Sequence, residues 1–307
     1  MVINYNKAII EHIENVLNLK CLNSELIINK KFKVVVDTVN GAAYEALPLL
    51  LKKLNCKVVK IHCSNDGTFP RGTEPIPSHL NDLSDAVKRN NADIGFATDP
   101  DADRLSIIDN NGKAIGEEST LILALESFLK YYKNNQKIVT NLSTSMGVDI
   151  IASKYNSNVE RSLVGEINVV EKMKEIGSEI GGEGNGGVIL KESHLGRDSL
   201  VASALILNHL AQSNISLSKI MKAVPKFEII KDKITIKKDI NFSNIKSYFK
   251  NENEIEFIES DGLKILYKDK WVHIRKSNTE PIIRIISEAS NKDIATHLIN
   301  TIKNIIN

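Results

Sequence analysis

The sequence predicts an α/β protein: two similar α/β/α domains with mixed sheets, followed by a small α+β C-terminal domain. Three observations lead there. From residue 32 onward short apolar runs alternate with amphipathic helical stretches; the alternation restarts after the polar stretch YYKNNQK; and after Pro225 strand-like segments follow one another with few helices between.

Residues 1–30 read as an N-terminal helix and linker, with Ile9, Ile13, Val16 and Leu17 at helical spacing and Glu11, Glu14 and Asn15 between them. The first domain is expected over 31–132. It opens with a buried strand at 32–36, a small-residue turn at 40–43, a helix presenting Tyr44, Leu47, Leu51 and Leu54, and a strand at 57–62. Strand, helix, strand in that order is a βαβ unit, for which a parallel pair with a right-handed crossover is expected. The stretch 64–78, with DGTFPRGTEPIP, is an irregular loop. A helix at 79–90, strands at 93–98 and 105–109 on either side of DPDADR, a turn at 110–112 and a helix at 117–130 complete the domain.

The second domain, 133–224, repeats the pattern: strand 137–141, helix 147–154, strand 159–164, helix 166–176 and strand 179–181. After these come the glycine-rich GGEGNGGV and a long helix capped by Asp198 that carries Leu200, Ala204, Leu207 and Leu210. The repeat is architectural, with little residue identity between the halves. The third domain, 225–307, holds strand-like segments at 227–236, 254–258, 263–267, 271–275 and 282–287, a helix near 244–249, and a terminal helix with Ile294, Leu298, Ile302 and Ile305 on one face.

Forty Lys and Arg against 38 Asp and Glu leave a net charge of +2 in 307 residues, which gives no nucleic-acid footprint. The longest apolar runs, 47–51 and 121–125, fall far short of the roughly 20 residues that cross a bilayer. The N-terminus has no signal-peptide pattern, and three cysteines without ligand spacing argue against a disulfide framework or a zinc site. A cytoplasmic location is the expectation.

Three motifs carry chemistry. Asp99, Asp101 and Asp103 in DPDADR stand at i, i+2 and i+4 in a tight loop directly after a strand, where open α/β sheets place ligands. Their oxygens can converge on one hard cation, Mg2+ where phosphate is also present, with Arg104 placed to meet a phosphoryl oxygen. The competing reading is a solvated acidic turn. In GGEGNGG, closely spaced glycines let backbone approach a ligand while Glu183 and Asn185 offer groups suited to sugar hydroxyls, although a flexible hairpin would look similar. In RKSNTEP, followed by Arg284, two guanidinium groups, an ammonium, two hydroxyls and an amide can form an anion cradle, with an ordinary basic surface loop as the competing reading. Together the three imply a phosphorylated polyol as ligand.

DPDADR, GEGNGG and RKSNTEP, in that order, resemble the α-D-phosphohexomutase superfamily, which includes phosphoglucomutase, phosphomannomutase and phosphoglucosamine mutase; the resemblance covers nearly the whole chain. It implies four domains around a cleft, of which the three here look like the second, third and fourth. It implies that Asp99, Asp101 and Asp103 hold Mg2+ while Arg104 assists the transferred phosphoryl group. Glu183 and Asn185 would recognise the sugar, Asn185 standing where the family more often has Ser. Arg275, Ser277, Asn278, Thr279 and Arg284 would grip the non-reacting phosphate, with Lys276 where the family often has Pro or Ala. Gly165, in a further short cleft loop, and His194 and Arg197, just past the sugar loop, are the remaining candidates; for the last two a plain role at a helix start is an equal alternative. The implied reaction transfers phosphate between an enzyme serine and a hexose phosphate through a hexose 1,6-bisphosphate.

The family's catalytic serine lies in a Thr-Ala-Ser-His-Asn-Pro type motif of its first domain. Ser78-His79 and Ser193-His194 lack the following Asn-Pro, and Ser143 and Ser145 read as helix caps. The expectation is therefore a phosphoglucosamine or phosphomannomutase type isomerase without its serine domain, inactive alone. The alternative is a non-catalytic sugar-phosphate-binding subunit whose serine domain is a separate polypeptide; that domain or a homodimer would be its macromolecular partner, with no nucleic acid and no membrane. A Mg2+-dependent phosphatase is disfavoured because no nucleophilic Asp pair stands beside the acidic loop.

Overall fold

Three valines in a row, Val34 to Val36, cannot alternate between core and solvent, and the strand they form, β1 (Lys33–Asp37), is buried on both faces. The computed structural model describes residues 5, 7–235, 240–252, 254–277 and 281–306. Ahead of β1 lie α1 (Ala8–Leu17) and α2 (Ser24–Lys30). The second helix stands in the stretch expected as linker; Asn23 caps it, its side chain accepting from the Leu26 N–H.

In the first sheet β1 lies between β2 (Lys57–Ile61) and β3 (Ile94–Thr98), both parallel to it, and β4 (Leu105–Asp109) runs antiparallel beyond β3. Helices α3 (Ala46–Lys53) and α4 (Asn81–Asn90) form the crossovers. Next comes α5 (Glu118–Tyr132), which packs on α6 (Gly147–Lys154) and α8 (Ser199–Ser213) of the second domain. The domain boundary expected at 132 thus falls at the C-terminal end of a helix whose main partners follow it in the chain.

The second sheet repeats the plan: β5 (Lys137–Asn141) lies between the parallel strands β6 (Asn158–Ser162) and β7 (Ile180–Glu183), and β8 (Gly187–Leu190) and β9 (His194–Arg197) continue antiparallel. The α7 helix (Glu166–Ile176) connects β6 to β7, and α9 (Leu217–Ile220) follows α8. Sequence periodicity did not anticipate β8 and β9, because four-residue strands beside clustered glycines leave no period to read. Asp198 caps α8 as expected, accepting from the N–H groups of Leu200 and Val201. α8 buries more than its expected stripe: Ser199 to Ala211 are buried on every face. One continuous core runs from Ile13 and Val36 through Leu121 and Val201 to Ile138 and Val188, so the first two sheets share it.

The C-terminal domain is an antiparallel sheet of β10 (Glu228–Thr235), β11 (Glu256–Ile258), β12 (Leu263–Leu266), β13 (Trp271–Lys276) and β14 (Ile282–Ala289), in the spatial order β10-β14-β13-β12-β11. With α10 (Phe242–Phe249) and α11 (Lys292–Ile306) it encloses a core of its own around Phe249, Ile265, Ile285 and Ile302. Two mixed-sheet α/β/α domains followed by an α+β domain are thus present as expected from the sequence. Among the described residues no helix is long and apolar enough to cross a membrane.

Candidate active site

The chain leaves β3 at Thr98 and turns sharply through residues 99–104, with Ala102 in the left-handed region at φ 65°. Asp99, Asp101 and Asp103 each bring one carboxylate oxygen to within 4.8 Å of the others. Burial raises the Asp99 carboxyl above its ordinary value and the adjacent Asp103 carboxyl adds to the rise, opposed by hydrogen bonds from Arg104. Asp103 Oδ1 is buried without a hydrogen-bond partner. Three converging carboxylates, one with an orphaned oxygen, form an all-oxygen donor set that fits a hard divalent cation such as Mg2+.

The loop is braced from outside. The Arg104 N–H and Nε donate to Asp99 at 3.0 and 2.5 Å, and Glu74 takes the ends of the same guanidinium at 2.6 and 3.2 Å. Arg71 bonds Asp37 at 3.0 Å and the Thr98 carbonyl at 2.5 Å. The Ala42 N–H donates to the Pro100 carbonyl at 2.7 Å; a Cβ on Gly41 would stand 2.4 Å from that oxygen, so only glycine lets the backbone close so near. Sequence reasoning passed over Arg71 and Glu74. The signal was an Arg and a Glu held between prolines in a loop too constrained to be a mere connection.

The glycine-rich loop lies directly beside the acidic loop. The Leu105 N–H donates to the Gly186 carbonyl at 3.0 Å, and Arg104 bridges to Gly187. Glu183, buried at the end of β7, accepts from Asn141 Nδ2 at 2.7 Å, Gly165 N–H at 3.1 Å, Arg197 at 2.7 Å and Asn185 Nδ2 at 3.4 Å. These four bonds fill the sites a carboxylate offers. In this arrangement Glu183 holds its neighbours in place.

Arg197 is the other centre. Its guanidinium joins Glu183 to Asp103, and its backbone N–H donates to Glu166 at 2.7 Å. Gly187 makes room for it, since a Cβ there would stand 2.2 Å from Arg197 Cδ. His194 turns elsewhere, its Nε2 3.0 Å from Asp198 Oδ2.

In the C-terminal domain Arg275 on β13 stands directly opposite Arg284 on β14, so the two share one face of the sheet. Arg275 Nε lies 3.4 Å from both carboxylate oxygens of Asp261, and Oδ2 also accepts from the Val164 N–H at 3.0 Å. Ser277 follows β13, while Asn278 and Thr279 lie outside the described residues. A continuous chain of polar contacts therefore runs from Arg275 through Asp261, Val164-Gly165, Glu183 and Arg197 to Asp103, linking all three motifs.

Further polar groups, among them Ser143 and Ser145 that read as helix caps in the sequence, join the C-terminal domain to the second domain. Buried Glu288 accepts from Trp271 Nε1 at 2.5 Å, from the Met146 N–H at 2.8 Å and from Ser145 Oγ. Ser143 bonds His273, which burial holds down at about 4 and hence neutral at pH 7. Glu118 lies under the sugar loop, where its oxygens occupy the place a Cβ on Gly184 would need. Desolvation pushes its pKa up to about 8.

Residues 10–112, 116–227 and 219–305 match, in turn, the models of phosphoglucomutase/phosphomannomutase α/β/α domain II, α/β/α domain III and C-terminal domain. The chain belongs to the phosphoglucomutase/phosphomannomutase family. It is 37% identical over 291 residues to the phosphoglucomutase/phosphomannomutase of Thermococcus kodakarensis, covering 94% of this chain and 62% of that protein. It is 34% identical over 295 residues to the phosphoglucosamine/phosphogalactosamine mutase of Sulfurisphaera tokodaii, covering 94% and 64%. The crystal structure of a phosphoglucomutase/phosphomannomutase family protein from Burkholderia thailandensis superposes with a TM-score of 0.82 at 24% identity, over 97% of this chain and 63% of that one. The chain thus spans just under two thirds of the length of these family members.

Proposed function

We propose that these 307 residues are the metal-, sugar- and phosphate-binding part of a phosphohexomutase that interconverts the 6- and 1-phosphates of a hexose or hexosamine. What supports this reading above all is the unbroken chain of contacts from Arg275 to Asp103, which ties an anion cradle, a polyol-facing loop and a carboxylate triad to one another.

Asp99, Asp101 and Asp103 would hold Mg2+, which supplies neutralisation of charge on a phosphoryl group in transfer. Arg104, fixed by Asp99 and Glu74, presents its guanidinium edge beside that group. Asn185 and the glycine backbone around it orient the sugar hydroxyls, with Glu183 and Arg197 keeping that loop in register with the acidic one. Arg275, Ser277 and Arg284, with Asn278 and Thr279, hold the phosphate that is not reacting. A hexose 1,6-bisphosphate offers either phosphate to either end of the site, so release and turnaround within the cleft exchange the 6- and 1-positions. The serine that carries the phosphate belongs to polypeptide outside these 307 residues, and the chain alone binds without turnover. That relatives include a phosphoglucomutase/phosphomannomutase and a phosphoglucosamine/phosphogalactosamine mutase supports mannose or glucosamine phosphates as the substrates, and the cytoplasm is the compartment proposed with them.

Calorimetry of the 307-residue chain with glucose 1,6-bisphosphate and Mg2+ tests the reading, paired with a coupled mutase assay before and after addition of a serine-bearing family first domain. Binding without turnover is expected, with turnover appearing on addition. Turnover by the chain alone overturns the external serine, absence of binding overturns the site, and binding that no added domain converts into turnover leaves the non-catalytic subunit as the better account.

A further inference from the structure

One cluster of ligating side chains stands apart from the contacts that join the three motif loops. It draws His12 from α1, His194 from β9 and Asp198 from the N-cap of α8. His12 Nε2 lies 2.9 Å and His194 Nε2 3.0 Å from the same oxygen, Asp198 Oδ2. The three donor atoms all lie within 4.8 Å of one another. The two rings face each other obliquely, their centroids 5.7 Å apart and their planes inclined at 55°. Asp198 is 6% exposed, whereas His12 and His194 are 33% and 46% exposed, which leaves the donors reachable from solvent.

We propose that His12, His194 and Asp198 form a second cation site, selective for a borderline-soft divalent ion of the Zn2+ type, with both Nε2 atoms and Asp198 Oδ2 as ligands and water completing the coordination.

The donor chemistry separates this site from the acidic loop. Two imidazoles and one carboxylate suit Zn2+ or Co2+, whereas three carboxylates suit Mg2+. The geometry needs little change: donors around a tetrahedral zinc stand about 3.3 Å apart, so each nitrogen-oxygen pair opens by a few tenths of an ångström and the imidazoles swing slightly together. The carboxylate is already oriented, because Oδ1 accepts from the N–H groups of Leu200 and Val201 at 2.7 and 3.1 Å and leaves Oδ2 to the histidines. A ligating carboxylate whose other oxygen is hydrogen-bonded is the support that metal sites use. The positive end of the α8 dipole opposes a cation with about half an elementary charge, which the full charge of Asp198 outweighs. An ion there would tie α1 to the corner from which Arg197, next to Asp198, reaches Asp103 and Glu183.

Co2+ is the probe. Titration of the 307-residue chain in the presence of excess Mg2+ is expected to give one Co2+ per chain with the visible absorption of a low-coordinate nitrogen-oxygen site, discharged by Zn2+. Replacing both ligands, His12→Gln with His194→Gln, is expected to weaken binding by more than the ~10–100-fold that loss of an outer-shell partner alone costs, while Asp101→Asn leaves it unchanged. A reading that needs no variant is carbethoxylation of the native chain: Zn2+ should protect His12 and His194 and leave the exposed His79 reactive. Absence of the visible bands, their survival in the double variant, their loss in Asp101→Asn, or equal labelling with and without Zn2+ overturns the proposal.

Discussion

Replacing Arg197 by Met removes the guanidinium between Glu183 and Asp103 and keeps most of the aliphatic stem that lies against Gly187. Glu183 is 4% exposed and cannot turn to bulk water for compensation, whereas Asp103, 20% exposed, can do so in part. Breaking a buried pair by removing one partner costs about 3–5 kcal/mol, largely the penalty of the charges left behind. Arg197 is 16% exposed, which favours the lower part of that range. With 2–4 °C lost per kcal/mol, a cost of about 3–4 kcal/mol lowers the midpoint of the shared-core transition by roughly 6–16 °C. Differential scanning calorimetry of the wild-type and variant chains measures it. Arg197→Lys should recover only part of the loss, since one ammonium cannot span both carboxylates as a planar fork does. In the same variant Mg2+ should bind tighter, because Asp103 no longer shares its charge with a cation, while sugar phosphate binds more weakly. A melting point within about 2 °C of wild type, with Mg2+ affinity unchanged, would refute Arg197 as the link between the two loops.

Glu118, raised to about 8 in the folded chain, holds more protons there than when unfolded, so its contribution is fully present below the ordinary carboxyl range and is lost as pH rises to about 8. Glu118→Gln should flatten the fall in melting temperature between about pH 5 and 9; an unchanged slope refutes the assignment. Gly41→Ala would drive a Cβ into the Pro100 carbonyl and displace the acidic loop, with Mg2+ affinity dropping roughly tenfold by calorimetry, as for loss of outer-shell support. Arg284→Gln removes a charge-assisted contact worth about 1.5–3 kcal/mol and should weaken glucose 1,6-bisphosphate binding by about 10- to 150-fold, with Mg2+ binding untouched.

The elements legible in the sequence were those whose cause is local. The valine run of β1 declares a strand buried on both faces, the Asp198 cap announces α8, and the i, i+2, i+4 aspartates after β3 announce a loop of converging carboxylates. What sequence reasoning missed depends on distant partners. Arg197, in the sequence a cleft candidate with a helix start as the equal alternative, shows its bond to Asp103, 94 positions earlier, only in the fold. Glu74 and Arg71 look like loop polarity until Arg104 and Asp37 arrive. β8 and β9 were hidden by glycines that are there for close approach, at the cost of periodicity. α2 was lost in a presumed linker because its seven residues bury only Ile27 fully and so give little stripe.

The core shared by the first two sheets also bears on how such a chain can be cut. With α8 buried on every side, the first two sheets cannot be parted from each other without opening apolar surface on both products. The natural seam lies near Pro225, where one core stops and another begins. A protease nicking the folded chain should release the C-terminal sheet as a fragment and leave the other two as a single resistant piece. A genome that divided this architecture into separate reading frames would find its tolerable breakpoint at the same place.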